Sequence, residues 1–306
     1  MSEKTEIMEV DGREIEISKA NKELFPDDGL TKFDLAEYYR RISDVALPHY
    51  RDRALTQHRF PDGIREEGFF QKAAPDHFPD WIKTAKLKKE GGSITHVVAN
   101  DAATLVYLAN QGCITPHLSL IRIDDVDHPD RLVFDLDPSD DHFGKVRRAA
   151  GRVKDLLDEL ELESFLQTTG SRGVHVVVPL ERRASFDQTR DFAHRVGELL
   201  QARHPKEMTV AQRKEKRGNL VFVDYLRNAY GQTSVAPYAV RAKPGAPVAT
   251  PLDWEELASS ELDARSYTIE NIFRRLGRKP DPWAEMDKQA QTIGAAEKKL
   301  SKLEKE

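Results

Sequence analysis

Leu132-Val133-Phe134-Asp135-Leu136-Asp137-Pro138 is the stretch that leaves this chain the fewest options. Three apolar residues in a row demand a buried strand, and that strand runs straight into two aspartates and a proline. Alternate side chains on a strand share a face, so Asp135 and Asp137 project together while Leu136 points into the core. Two carboxylates about 4 Å apart repel by roughly 4 kcal/mol at an effective dielectric near 20. A shared proton, a basic side chain or a divalent cation has to offset that, and hard oxygen ligands suit Mg or Mn. A solvated pair at a strand end is the other reading of an isolated Asp-x-Asp. The rest of the chain decides between them.

Other strands deliver polar groups in the same way. Leu220-Val221-Phe222-Val223 runs into Asp224, a third carboxylate of the kind two-metal phosphoryl-transfer sites use. Phe165 to Thr169 enters Gly170-Ser171-Arg172-Gly173, and Val174-His175-Val176-Val177-Val178-Pro179 follows. Two glycines let backbone N–H groups turn toward an anion, Ser171 adds a hydroxyl and Arg172 a charged fork. A plain β-turn between antiparallel strands would use the same glycines. His175 reads either as a core histidine or as a donor to a phosphate oxygen. Arg241 and Lys243 are further phosphate candidates or simply exposed bases.

The remaining pattern is mixed α and β. Asp11-Gly12 between alternating runs predicts a hairpin over residues 5–18. Thr31, with Asp34 three residues on, predicts a capped helix with Phe33, Leu35, Ala36, Tyr39, Ile42, Val45 and Ala46 as its stripe, ended by Pro48. A short strand entering a turn is expected over 55–63, and strands over 93–98 and 114–123, the last carrying His117. Helices are expected over 101–110, across the stripe from Val146 to Leu160 after the loop 138–141, around 192–200 and from 268 to 277. A strand followed by a proline-punctuated loop is expected over 236–245. Phe69-Phe70 reads as a strand in which one ring faces the core and the other offers a stacking platform. Four lysines between Lys83 and Lys89 form a solvated face or hold phosphates. Asp124, Asp125 and Asp127 read as a hydrophilic turn or a second metal site.

With 306 residues and no internal repeat or long linker, the chain is expected to form one compact α/β (α+β) unit, in one piece or as two packed subdomains. Residues 1–285 are taken as the domain and 286–306 as a charged, partly mobile tail. The net charge of −5 gives no overall case for nucleic acid, although the bases are clustered. Cys113 is the only cysteine, which excludes an internal disulfide or a multi-cysteine metal site. No apolar run has membrane-spanning length and no signal-like N-terminus is seen, so an intracellular, soluble protein is expected. There is no nucleophile elbow, no Walker loop and no dinucleotide fingerprint.

Four motifs occur in a fixed order: Val133 to Pro138, Thr169 to His175, Val221 to Tyr225 and Val235 to Arg241. Together they make the chain resemble the polymerase domain of bacterial ATP-dependent DNA ligase D, in the archaeo-eukaryotic primase superfamily, from about Asn21 to Trp283. The resemblance implies a primase-like core of mixed and antiparallel sheets flanked by helices, with a small N-terminal subdomain. It implies template-directed addition of ribo- or deoxyribonucleotides to DNA 3′ ends, filling gaps and extending ends in non-homologous end joining, with two Mn or Mg ions. Carried over by position, Asp135, Asp137 and Asp224 are the metal ligands. Ser171, Arg172, His175 and Arg241 bind the triphosphate, and His117 meets the sugar of the incoming nucleotide. Phe69 and Phe70 lie near the template base, and Lys22 and Lys32 hold the 5′-phosphate of a gapped duplex. NTP or dNTP and DNA ends are the implied partners, Ku and a DNA ligase accompany them, and the setting is the bacterial cytoplasm at the nucleoid.

The chain departs from the pattern at two places. His58-Arg59 before Phe60-Pro61 stands where some members have Lys-Arg before Trp-Pro, and Arg227 replaces a glutamine of some members. Both bear on nucleotide or metal preference. No ligase or nuclease module is visible, which fits either a stand-alone protein or an excised domain. A two-metal phosphodiesterase acting on DNA ends, or a non-catalytic DNA-end binder, would also use such residues.

Overall fold

The computed structural model describes residues 4–305. Contacts divide it into two units of nearly equal length. Of the described residues, one comprises 4–124, 233–249 and 267–279, and the other comprises 125–232, 250–266 and 280–305. Among the described residues no helix is long and apolar enough to cross a membrane.

The first unit opens with the hairpin Glu6–Val10 and Arg13–Ile17, closed by Asp11 and Gly12 at φ +53° and +71°, the conformation a two-residue Asp-Gly turn requires. Its first helix, Lys32–Tyr50, has the expected capping box. Thr31 Oγ1 accepts from the Asp34 N–H at 3.3 Å, and Asp34 Oδ2 accepts from the Thr31 N–H at 2.8 Å. Leu35, Ala36, Tyr39, Ile42 and Ala46 are buried along one stripe. Pro48 does not end the helix but lies in its last turn, where the missing N–H leaves only one carbonyl without its helical partner. The turn after it closes through the Arg51 N–H on the Leu47 carbonyl, at 2.9 Å.

This unit's main sheet places Thr233–Val235, Cys113–Ser119, Leu55–Arg59, Gly92–Val97 and Thr84–Lys89 side by side, with Phe69–Gln71 paired to Leu55–Arg59. The strand expected to reach Ile123 stops at Ser119. The guanidinium of fully buried Arg53 takes the carbonyls of Ser119 and Ile121, both at 3.4 Å, and so draws that backbone out of the ladder. The strand expected from Ala236 lies earlier, at Thr233–Val235. Residues 236–239 instead make a turn in which the Ala239 N–H meets the Ala236 carbonyl at 3.1 Å. Pro237 is at the second position and Tyr238, at φ +62°, is at the third, as a type II turn requires. The helix expected from Thr268 is confined to Ile272–Leu276. Before it, the Thr268 N–H donates to the Asn271 side chain at 2.9 Å, which makes a turn of that stretch.

The second unit is built on a six-stranded sheet in the order Met208–Thr209, Val221–Asp224, Arg131–Pro138, Val174–Pro179, Phe165–Thr168, Pro251–Leu252. All neighbours are antiparallel except the first pair. Arg131–Pro138 is central, and Pro138 is its last residue rather than a stop before it. Helices Phe143–Glu159 and Phe186–Arg203 bury Val146, Ala150, Val153 and Leu157, and Phe192, Ala193, Val196 and Leu200. Both pack on the central strand, which also buries Leu132, Phe134 and Leu136. Within residues 286–306 a helix runs over Gly294–Leu303 and buries Ala296 and Leu300. Arg195 pairs with Glu304 at 2.6 Å.

Candidate functional site

Strand register brings the three aspartates together. Asp135 lies opposite Asp224 on one neighbouring strand and opposite His175 on the other, with Asp137 two residues along the same face. The Asp135 and Asp224 side chains are 17% and 15% exposed, so their charges are poorly solvated. Burial first, and then the neighbouring Asp135 charge, raise the Asp224 pKa above the ordinary carboxylate value, with Arg227 pulling the other way. Asp224 Oδ1 accepts from the Leu226 N–H at 2.9 Å, which fixes the carboxylate at the strand end.

Basic side chains surround these acids. Arg227 Nε lies 3.2 Å from Asp135 Oδ2 and 3.4 Å from Asp224 Oδ2. Arg172 Nη2 is 3.2 Å from Asp137 Oδ1, and Arg217 Nη1 is 3.7 Å from Asp137 Oδ2. Buried His175 places Nε2 3.6 Å from Asp135 Oδ1. Arg217 is the most constrained of the arginines. It donates to the Ala211 and Gln212 carbonyls at 3.0 and 2.8 Å, and its guanidinium lies 3.7 Å from the centre of the Phe222 ring. The sequence shows Arg217 only as part of a basic turn. Its signal in the sequence is the charged run Arg213-Lys214-Glu215-Lys216-Arg217, three residues ahead of the strand Val221–Asp224.

The Gly-Ser-Arg-Gly segment closes a hairpin between Phe165–Thr168 and Val174–Pro179. Gly170 adopts φ +63°. At Gly173 a Cβ would fall 2.1 Å from the Leu136 carbonyl oxygen, so this loop presses against the backbone between Asp135 and Asp137. Thr169 Oγ1 accepts from the Ser171 and Gly173 N–H groups, both at 3.3 Å. Arg265, which the sequence reading did not single out, donates from Nε to the Ser171 carbonyl at 2.7 Å. Ser171, Arg172 and Arg265 line a cavity of about 150 Å³ with Asp141, Phe143, Asp263 and Ala264.

Among the described residues no three His, Cys, Asp or Glu side chains converge as a ready metal cage. The donor set nevertheless suits a hard divalent cation. It offers carboxylate oxygens on one face, one of them with a pKa raised by burial and then by its neighbour, and side-chain bases now meet the charge a cation would meet. The acidic turn is occupied internally, with Asp125 accepting from the His128 ring at 3.0 Å.

The other expected site residues belong to the first unit. His117 lies opposite Thr56 on the strand next to His58. His58 and Phe70 stack with ring centres 4.0 Å apart and planes 11° from parallel, and the edge of His117 meets Phe70 at 5.4 Å. Phe69 and Phe70 are 47% and 60% exposed, so neither ring faces the core as expected. Among the described residues the three-residue strand Phe69–Gln71 pairs with Leu55–Arg59 alone, and both of its rings stay exposed. Arg59 is 5.5 Å from the Phe69 ring centre and bonds Gln71 at 2.6 Å. Burial and then the Arg241 charge push the His58 pKa down to about 4, so this ring is neutral near pH 7. Lys22 and Lys32 are adjacent, the Lys32 N–H meeting the Lys22 carbonyl at 2.8 Å. Lys22 pairs with Asp62, and Lys32 is buried with Nζ 3.5 Å from Ser18 Oγ.

Residues 31–283 match the family model described as LigD, primase-polymerase domain, which makes the chain a DNA-directed nucleotidyltransferase of the primase–polymerase class. It belongs to the LigD primase-polymerase family, whose named members are non-homologous end joining repair proteins. It is 32% identical over 90% of its length to the multifunctional non-homologous end joining protein LigD of Mycolicibacterium smegmatis. It is 34% identical over 92% of its length to the protein of that description in Pseudomonas aeruginosa, and 32% identical over 88% to the bifunctional LigD of Bacillus subtilis. The chain spans 36%, 34% and 43% of the lengths of these three relatives. Among solved structures it resembles the polymerase domain of Mycobacterium tuberculosis ligase D in complex with DNA. That match has a TM-score of 0.83 and 31% identity, and covers 89% of this chain and 97% of the other.

Proposed function

We propose that the chain extends a primer strand on a DNA template, adding ribo- or deoxyribonucleotides at ends and gaps during end joining. The observation that carries this reading is the single rung of Asp135 and Asp224, with Asp137 beside it and the Gly-Ser-Arg-Gly hairpin packed on the same strand. In this reading the three aspartates hold Mn or Mg. Such ions would lower the pKa of the attacking 3′-hydroxyl and offset charge on the departing pyrophosphate. Ser171 and Arg172 hold the triphosphate, with His175 beneath them as a donor, and Arg241 adds a further charge. His117 meets the sugar. Phe70, stacked on neutral His58, offers an exposed ring to a template base, with Phe69 beside it. Lys22 and Lys32 take the 5′-phosphate of the downstream strand. Ku and a DNA ligase are the partners that the relatives' end-joining role supplies, in the cytoplasm at the nucleoid.

The test is nucleotide incorporation on a gapped duplex, with ribo- and deoxyribonucleotides compared in Mn²⁺ and Mg²⁺. Incorporation that stops in Asp135→Ala and Asp137→Ala supports the assignment. Undiminished synthesis by either variant sinks it. Degradation of DNA ends in Mn²⁺ without nucleotides would replace it with a phosphodiesterase.

A further inference from the structure

Arg227 occupies the space between two carboxylates that face each other across the ladder. Its Nε is 3.2 Å from Asp135 and 3.4 Å from Asp224. The backbone that carries it is firmly placed. Residues Leu226–Asn228 form a 3-10 turn, and buried Asn228 accepts from the Val133 N–H and donates to the Val133 carbonyl, each at 2.8 Å. The base of the Arg227 side chain is thus tied to the central strand two residues before Asp135. Its guanidinium end is open to solvent, the side chain being 40% exposed.

We propose that Arg227 is a built-in counter-ion for Asp135 and Asp224 that a divalent cation must displace, so that this residue sets how much cation is needed to load the site. The inference rests on the reading of these aspartates as metal ligands. Without a positive charge between them the pair is poorly solvated and mutually repulsive, which favours whichever cation is nearest. The tethered guanidinium is always at hand. Each incoming ion therefore competes with it for the same oxygens. A neutral glutamine at this position would hydrogen-bond one carboxylate and leave the pair's charge unmatched, so the same acids would bind a cation more tightly.

The experiment is Mn²⁺ titration of the full chain, followed by the electron paramagnetic resonance signal of free Mn²⁺, with no nucleotide or DNA present. Arg227→Gln is expected to bind Mn²⁺ about tenfold more tightly than the parent, a difference of about 1.4 kcal/mol. Arg227→Lys, which meets one carboxylate at a time, is expected between the two, and it serves alone if the glutamine variant does not fold. In EDTA the glutamine variant should melt below the parent, and Mn²⁺ should raise its melting temperature by more. Equal or weaker Mn²⁺ binding by both variants overturns the counter-ion role, provided Asp135→Asn still weakens binding to the parent. Binding that Asp135→Asn leaves unchanged removes the metal reading itself, and the counter-ion role with it.

Discussion

The acidic centre of the second unit and the aromatic face of the first are built on opposite principles. Asp135, Asp137 and Asp224 are partly buried charges, each within reach of an arginine. Phe69 and Phe70 are apolar rings left in the open, with Phe70 flanked by His58 and His117. The first arrangement stores electrostatic tension and is suited to chemistry in which charge develops. The second stores uncovered area and is suited to holding a flat partner. Substitutions in the two regions should therefore fail in different measurements, and that difference can be broken.

The largest effect is expected at the acids. Asp137→Ala should lower nucleotide incorporation at least about a hundredfold, the scale of losing an electrostatic stabiliser from a reacting centre. Its urea midpoint should change little, because Arg172 and Arg217, which now pair with Asp137, are partly solvated or held elsewhere. If Phe70→Ala costs as much incorporation at saturating DNA, the division between the regions is wrong.

Next comes the backbone that joins the phosphate loop to the acids. Gly173→Ala pushes a methyl group against the Leu136 carbonyl, a contact that no side-chain rotation can relieve. It should destabilise the chain by about 3 kcal/mol in urea unfolding, the upper range for overpacking. Gly151, inside the helix Phe143–Glu159 with nothing near its Cβ position, is the control. Gly151→Ala should stabilise by roughly 0.5–1 kcal/mol. Equal effects at the two glycines would show that the loop is not held against the central strand.

These two regions were not equally legible in the sequence. Asp-Leu-Asp on an apolar strand fixes two carboxylates on one face, and Val-Phe-Val-Asp fixes a third at a strand end. Which residues face each other across the ladder depends on pairing partners distant in the chain, so the Asp135–Asp224 rung came only with the fold. Arg227 is three residues from Asp224 and was visible as a departure from the family pattern. Its position between two acids was not, because that depends on Asn228 clamping the turn to Val133. The aromatic pair misled for a different reason. Alternation predicts one buried ring only where a strand has a covered face, and Phe69–Gln71 lies at a margin of its sheet with neither ring covered. Capping and turn residues read correctly at Asp11-Gly12 and Thr31 because their geometry is local. Pro48 was misread because a proline in a helix's last turn leaves only one carbonyl without its partner, and the end of the strand at Ser119 because the tertiary contacts of Arg53 decide it.

Phe70→Ala should act on binding and leave folding nearly untouched, since the ring is 60% exposed. Loss of one base-stacking contact is worth about 1–3 kcal/mol, so the Kd for a gapped duplex should rise by roughly five- to 150-fold in a fluorescence titration at fixed salt. A rise no greater than that of Ile7→Ala, an exposed apolar residue on the hairpin, would show that exposure here is incidental.

The smallest effect tests whether His58 belongs to the aromatic face as a neutral ring. Its pKa is pushed down to about 4 in the fold, by burial first and by Arg241 second, against 6.5 in the open chain. A histidine depressed in this way takes up its proton in the unfolded state first. Below pH 6.5 the unfolded chain therefore binds more protons than the folded one, and stability falls as pH drops toward 4, then levels off. His58→Phe keeps a flat ring against Phe70 and removes the titration. Taken from pH 7 to pH 5 in urea unfolding, the parent should lose more stability than His58→Phe. The difference should be modest, because His58 is only half-buried and solvent screens part of its charge. Equal losses would mean that His58 is not held neutral, and the ring beside Phe70 would then carry a charge toward whatever binds that face.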